Sequence, residues 1–317
     1  MNKDTTLKEK KAGVSRRKAL KAFGLGATVA AGAAVASATP GKPSKVDISF
    51  DDQMGNYFQD HYKKMTKEEI KEALARLERR YKATYDVDIK VDNMPAQPGV
   101  LFGYALNISK CKGYRECVKA CTETNNQSRD PEIQFIRVLE MDKGSMNMEE
   151  ANHYFSDDET VPKPDKWYLP IQCHQCENPP CVKACPVEAT WKEPDGITVI
   201  DYNWCIGCRM CMNACPYWAR RFNWKAPSLP KEDINPVTHY LANRPREKGV
   251  VEKCFFCLQK TRKGEMPACQ EACPTGARVF GNLLDPNSEI RYVLEHKNIF
   301  RLKEDLQTEP KFWYYSD

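Results

Sequence analysis

Cys205-Ile-Gly-Cys208-Arg-Met-Cys211-Met-Asn-Ala-Cys215-Pro216 is the stretch on which the reading of this 317-residue chain turns. Three cysteines stand two residues apart, and a fourth follows after three more residues, before a proline. The device recurs on both sides. Upstream lies Cys173-x2-Cys176-x4-Cys181-x3-Cys185-Pro186, and downstream Cys254-x2-Cys257-x11-Cys269-x3-Cys273-Pro274, with a longer middle loop. The first group in the chain is the exception. Aligned from its end, Cys117-x3-Cys121 supplies the third and fourth positions and Cys111 the first, which leaves Tyr114 where the second cysteine should stand. Thr122 also replaces the proline. In chain order these are groups one to four, and they hold all 15 cysteines.

The spacing has a physical reason. Three thiolates two residues apart wrap one cube of iron and sulfide, while a fourth, displaced by a short turn and fixed by proline, points to a neighbouring cube. Group three matches the bacterial ferredoxin run without alteration. A single C-x2-C pair suits zinc equally well. Zinc, however, needs neither three cysteines in tandem nor an x3-Cys-Pro. A disulfide framework would leave one thiol over, although an exported compartment would allow one. Iron-sulfur clusters are therefore the expected cofactors.

The first forty residues read as an address rather than as fold. A Lys-rich start leads into Ser15-Arg16-Arg17-Lys18-Ala19-Leu20-Lys21, then an uncharged run from Ala22 to Ala38 that ends in a small-residue cleavage site, Ala36-Ser37-Ala38. The paired arginines predict a twin-arginine export signal over residues 1–38, although Ala19 stands where that pattern usually has Phe. The run is rich in Ala and Gly, weakly hydrophobic for a bilayer span. Twin-arginine export carries folded cargo, which suits a protein whose clusters must be inserted first. Residues 1–38 hold eight Lys/Arg and two Asp/Glu, so their removal turns a formal charge of +5 into −1. Each thiolate-bound cluster would add about two more negative charges. The basic balance therefore does not indicate nucleic acid, and no phosphate-reading basic stripe appears.

Residues 39–98 read as a polar arm followed by one amphipathic helix. Thr66 and Glu69 form a capping box, and Ile70, Leu74, Leu77 and Tyr81 recur on one face. Beyond Gly99 short apolar stretches such as Gly103 to Ile108 and Ile197 to Ile200 alternate with Cys-rich loops, and Pro is frequent. Strands should be short and helices scarce, with clusters rather than a broad apolar core supplying much of the stability.

Other residues have modest readings. His174 lies inside group two, where all four positions are already Cys, so packing or a hydrogen bond to sulfur is expected. His153, His239 and His296 sit in polar or loop contexts with no metal spacing. Arg209, Arg220 and Arg221 flank group three, where they either offset cluster charge or lie on the surface. The six tryptophans, dispersed among the groups, are expected to shield clusters from water. No nucleophile-base constellation, phosphate loop or flavin fingerprint appears, so no catalytic residue is expected.

Beyond cysteine spacing, Gln172 to Pro186 (QCHQCENPPCVKACP), Gly249 to Cys257 (GVVEKCFFC), Pro267 to Gly281 (PACQEACPTGARVFG) and Thr308 to Tyr315 (TEPKFWYY) carry a family likeness. The chain resembles the four-cluster ferredoxin-like electron-transfer subunits of molybdopterin oxidoreductases, such as dimethyl-sulfoxide, polysulfide, tetrathionate and nitrate reductases. The likeness runs from about Gly99 to Tyr315 and is weak over 39–98 and 221–246. It implies that groups pair one with four and two with three, the fourth cysteine of each crossing over. One cluster would take Cys173, Cys176, Cys181 and Cys215, and its mate Cys205, Cys208, Cys211 and Cys185. Another would take Cys254, Cys257, Cys269 and Cys121. The last has only Cys111, Cys117 and Cys273.

Such a three-Cys site resembles ferredoxins that hold a [3Fe-4S] cluster, beside three [4Fe-4S] clusters. The alternative is a fourth [4Fe-4S] cluster whose odd iron takes water or Tyr114 oxygen. In the family this cluster lies nearest the catalytic subunit. The resemblance further implies a molybdopterin catalytic partner, a polytopic quinone-reactive membrane partner, and a periplasmic location held to the membrane through that partner. The fold expected is α+β, loop-rich, with two fused ferredoxin-like dicluster modules over residues 99–317 and interleaved cysteine ligands. Two other classes remain: a stand-alone periplasmic polyferredoxin, and an enzyme using an open iron at the three-Cys site.

Overall fold

The computed structural model describes residues 65–153 and 160–317, all within the unit Asp51–Asp317. The expected signal over 1–38 and the arm up to residue 64 lie outside the described residues. Helix α1 spans Lys67–Tyr85. It begins where its capping chemistry says: the Thr66 hydroxyl accepts from the Glu69 amide at 3.2 Å and the Glu69 carboxylate accepts from the Thr66 amide at 2.8 Å. It ends at Asp86, which takes a left-handed conformation.

The chain continues through β1 (Lys90–Asp92), β2 (Phe102–Asn107), α2 (Glu116–Thr124), β3 (Arg137–Asp142) and β4 (Lys166–Ile171). Next come α3 (Pro180–Lys183), β5 (Thr190–Lys192), β6 (Thr198–Ile200), α4 (Met210–Asn213) and β7 (Arg220–Phe222). The last elements are β8 (Val237–His239), β9 (Val251–Lys253), α5 (Leu258–Thr261), α6 (Ala268–Glu271), β10 (Arg278–Asn282), α7 (Glu289–His296), β11 (Asn298–Phe300) and β12 (Phe312–Ser316). The fold is thus mixed, loop-rich and built from small sheets.

The largest sheet has the order β10-β2-β12-β11, with β12 parallel and β10 antiparallel to β2. Every residue of β2 is buried, as expected of a strand flanked on both edges and covered on both faces. Tyr104 of β2 stacks on Phe312 of β12 at 5.1 Å between ring centres. Helix α7 covers the other face, setting Ile290 and Val293 against Ala105, Val279 and Tyr315. One large core takes in the Tyr104, Phe312 and Tyr314 side of this sheet together with Cys117, Cys121, Cys176, Cys181, Cys205, Cys211, Cys215, Cys254 and Cys269. The expected lack of a broad apolar core is therefore corrected. Aromatic side chains bind the short elements into one interior, because each small sheet alone buries too little to be stable.

Helix α1 is not an isolated appendage. Leu77 and Tyr81 bury against Ile89, Val91 and Ile234, with Leu229 and Tyr240 at the margin. The Tyr81 hydroxyl donates to the Pro245 carbonyl at 3.1 Å and accepts from Arg244 Nη1 at 3.1 Å. Strand β1 pairs in parallel with β8. The helix and the 221–246 stretch, the two parts with the weakest family likeness, therefore pack on each other.

His239 fixes this junction, contrary to the polar or loop context expected for it. Its Nε2 lies 2.9 Å from the Met94 carbonyl, and its Nδ1 accepts from the Leu241 amide at 3.1 Å. Only the neutral Nε2-H tautomer makes both bonds. Burial, opposed by the Met94 carbonyl, pushes its pKa down from 6.5 to about 4. A depressed folded-state pKa means that the unfolded chain binds the extra proton between those values, so stability falls as pH drops through that window. The expected slope is about 1.4 kcal/mol per pH unit. In denaturant titrations at successive pH values, H239Q is expected to show a flatter acid limb by that amount.

Candidate iron-sulfur sites

The four cysteine groups share one backbone. The residue before each second position is left-handed: Gly113, Gln175, Gly207 and Phe256, with φ of 78°, 44°, 75° and 54°. Alternating handedness of this kind turns successive amides inward into a concavity that suits anions and iron-sulfur groups. Each third cysteine then opens or lies within a short helix: Cys117 in α2, Cys181 in α3, Cys211 in α4 and Cys269 in α6. After the fourth cysteine of groups two, three and four the chain turns back, with the amides of Glu188, Trp218 and Gly276 donating to the carbonyls of Cys185, Cys215 and Cys273. Group one departs here. With Thr122 in place of proline, α2 continues to Thr124 instead of stopping before the fourth cysteine.

Helices α2 and α6 pack together, as do α3 and α4. Group one thereby meets group four, and group two meets group three. Cys173, Cys176, Cys181 and Cys215 line one recess together with His174, Thr198, Tyr217 and Arg220. Cys111, Cys117 and Cys273 line another, together with Tyr114 and Arg278. Cys121 lies among Cys257, Cys254 and Cys269, and together with burial they push its thiol well above the usual range. Cys205 and Cys211 are buried neighbours, Cys208 is exposed and Cys185 half-buried. None of the fifteen is joined in a disulfide.

The donor chemistry fits iron-sulfur groups. Among the described residues no three His, Cys, Asp or Glu side chains draw together around a single metal ion. The sulfurs of Cys173, Cys176, Cys181 and Cys215, and those of Cys111, Cys117 and Cys273, line two recesses. Burial raises the Cys111 thiol to about 11, and those of Cys176 and Cys257 to about 12. Bare thiolates are thus unfavourable here, and metal binding would supply the compensating charge. Donors already face the sulfurs. Gln127 Nε2 reaches Cys121 Sγ at 3.2 Å, Tyr104 hydroxyl lies 3.2 Å from Cys269 Sγ, and the Phe256 amide is 3.4 Å from Cys254 Sγ. Hydrogen bonds to cluster sulfurs raise reduction potentials.

Of the three flanking arginines only Arg220 reaches a site, donating from Nη2 to Cys181 Sγ and to Thr190 Oγ1, both at 3.0 Å. Arg221 bonds backbone carbonyls, and Arg209 stands 4.5 Å over the Trp224 ring. His174 is a packing residue, stacked on Phe312 at 5.1 Å and held neutral by burial, its pKa down to about 3. His153 borders an open recess beside Trp218 and Arg137, and His296 stacks on Tyr292 at the surface. Trp167 and Trp191 pack, half-buried, against the core that holds the cysteines, whereas Trp204, Trp218 and Trp224 are exposed. Tyr104, Phe255, Phe256, Phe312 and Tyr314 are fully buried around the cysteines.

Sequence reasoning missed Arg278, whose Nη2 donates to Cys117 Sγ at 3.3 Å and Nη1 to Gln172 Oε1 at 2.9 Å. The signal was present. Cys215-Pro-Tyr-Trp-Ala-Arg220 and Cys273-Pro-Thr-Gly-Ala-Arg278 place an arginine at the same distance after the fourth cysteine.

With the geometry in hand, comparison with known proteins is direct. Residues 165–236 and 234–283 match the 4Fe-4S dicluster domain family. The iron-sulfur subunit 1 of an Hdr-like menaquinol oxidoreductase from Archaeoglobus fulgidus is 40% identical over 213 residues, covering 62% of this chain and 71% of that protein. A putative dimethyl sulfoxide reductase iron-sulfur subunit from Halobacterium salinarum is 38% identical over 67% of this chain and 78% of its own. A subunit of tetrathionate reductase from Salmonella typhimurium is 31% identical, covering 67% of this chain and 71% of that protein. The chain belongs to this family of ferredoxin-like iron-sulfur subunits of oxidoreductase complexes, electron-transfer rather than catalytic subunits.

Proposed function

We propose that this chain carries electrons through four clusters, between a quinone-reactive membrane subunit and a molybdopterin catalytic subunit in an exported respiratory complex. The crossing of fourth cysteines carries the reading: Cys215 lines the recess of group two, Cys273 that of group one, and Cys121 lies among the thiols of group four. The sets are then Cys173, Cys176, Cys181 and Cys215; Cys254, Cys257, Cys269 and Cys121; Cys205, Cys208, Cys211 and Cys185; and Cys111, Cys117 and Cys273 with Tyr114 at the vacant position. The three full sets take [4Fe-4S] and the last [3Fe-4S].

Bound clusters accept and release single electrons. The chain's own residues order the sites: the Gln175 side chain of group two donates to the Cys254 carbonyl of group four at 2.9 Å, which joins the two halves. No helix of the described residues is long and apolar enough to cross a membrane, so membrane attachment would come through a partner. Menaquinol in the name of the Archaeoglobus relative supports a quinone-side partner, and the reductase names support a catalytic one. All three relatives are named as subunits, which disfavours a stand-alone polyferredoxin or an open-iron enzyme.

Affinity purification of the tagged chain from detergent-solubilised membranes tests the assembly. A large molybdopterin protein and a polytopic membrane protein are expected to co-purify, with iron and sulfide for about four clusters per chain. A free, fully loaded monomer in the periplasm would overturn it.

A further inference from the structure

Seven cationic side chains are buried in the described part of the molecule: Arg220, Arg244, Arg246, Lys253, Arg262, Arg278 and Lys311. Four meet carboxylates, Arg244 with Asp201, Arg246 with Glu252, Arg262 with Asp195, and Lys311 with Glu177. The other three meet cysteines instead. Arg278 lies between Cys117 of group one and Cys269 of group four. Lys253 precedes Cys254 of group four, its Nζ donating to the Cys254 carbonyl at 2.8 Å, and it stands across the β7–β9 ladder from Arg220, which donates to Cys181 of group two. Arg220 lies between Cys181 and Cys173 of group two and Cys211 of group three.

These positions are not scattered. Arg220 and Arg278 occupy equivalent places after their fourth cysteines, each opens a strand, and each donates to the third cysteine of the partner group. Arg220 and Lys253 are cross-strand partners in the β7–β9 ladder, an arrangement in which like charges repel. Arg220 Nε and Nη1 are buried with no hydrogen-bond partner. An uncompensated buried charge is strongly destabilising, and three of them would rival the net stability of a fold. The arginines stay charged under all conditions. The missing anions are supplied where thiolate-bound clusters sit.

We propose that Arg278, Lys253 and Arg220 are counter-charges placed one at each successive junction of the electron path, and that they raise the reduction potentials of the clusters they adjoin. The proposal rests on the cluster sets proposed above. A cation between two sites favours the electron on either side and lowers the charge repulsion between neighbouring reduced sites. It thereby keeps successive potentials close.

Redox titration followed by electron paramagnetic resonance, with iron analysis of each sample, tests this in R220Q, R278Q and K253Q and in the charge-keeping R220K and R278K. In R220Q the clusters of groups two and three are expected to resist reduction by a factor of ten or more, equal to 59 mV for one electron, with the three-Cys site unmoved. R278Q should shift the three-Cys site and its group-four neighbour, and K253Q the two central clusters. The lysine variants should stay near wild type. Should a glutamine variant lose iron that its lysine counterpart keeps, the charge requirement stands. The proposal is overturned if loaded glutamine variants titrate within threefold of wild type, or if lysine and glutamine variants shift or lose iron alike. A wild-type chain without four clusters would instead refute the underlying sets.

Discussion

In Y114C the oxidised protein is expected to lose its [3Fe-4S] resonance and to gain about one iron atom per chain as a fourth [4Fe-4S] cluster forms. The backbone argues for it. Gly113 precedes Tyr114 with φ 78° as Gly207 precedes Cys208 with φ 75°, so a sulfur at 114 would enter at the same point of the turn as a second ligand. Tyr114 lines the recess of Cys111, Cys117 and Cys273 and is 44% exposed, so its ring contributes little to the core and its removal costs little. Cluster type moves potentials over a range on the order of a volt, which makes this the largest redox effect available from one substitution. Iron content and resonance both unchanged from wild type would show that position 114 does not face the vacant corner. A fourth [4Fe-4S] cluster already present in wild type, with no [3Fe-4S] resonance, would favour the water or Tyr114 ligand instead.

The largest expected structural effect is that of G207A. A Cβ on Gly207 would stand 2.2 Å from the Gly249 carbonyl oxygen, in a left-handed conformation that already disfavours a side chain. Backbone strain alone costs about 1–3 kcal/mol, and relieving the overlap requires one of two backbone segments to move. Those segments are the group-three turn and the approach to β9, which carries Lys253 toward Cys254. The expected result is loss of about one cluster's iron, that of group three, with a melting temperature lower by several degrees. G264A is the control. Gly264 also has positive φ, 82°, but nothing lies within 4 Å of its Cβ position, so it should retain full iron and show only the strain. Equal loss in both variants would mean that the close approach of residues 207 and 249 is not what holds this turn.

Legibility in the sequence followed the range of the forces involved. The cysteine spacing and the Thr66–Glu69 cap are local, and each described cysteine group and helix α1 appear where local chemistry put them. The pairing of β1 with β8 joins residues 90–92 to residues 237–239, and no periodicity in either short segment announces it. Burial of polar side chains was harder still. The sequence leaves Arg220 open between cluster and surface and Arg278 unremarked, because a charge is expected inside only when its partner is known, and here the partners are sulfurs distant in the chain. Trp204, Trp218 and Trp224 lie on the outside while tyrosines and phenylalanines of the central sheet fill the interior, a division that ring size alone does not announce. His239 needed both the Met94 carbonyl and the Leu241 amide before its neutral role could be read.

Burial of the group-four site also dictates an order of assembly. Cys121, Cys254, Cys257 and Cys269 are all less than a tenth exposed, and the Phe255, Phe256 and Tyr104 rings that enclose them also knit β2, β9 and β10 into the interior. Iron cannot be delivered there through a finished wall. A cluster held by the proposed set of Cys121, Cys254, Cys257 and Cys269 would enter while the central sheet is still open, and its loading would be a step on the folding route. The site around Cys208, at the surface, can be filled or repaired afterwards.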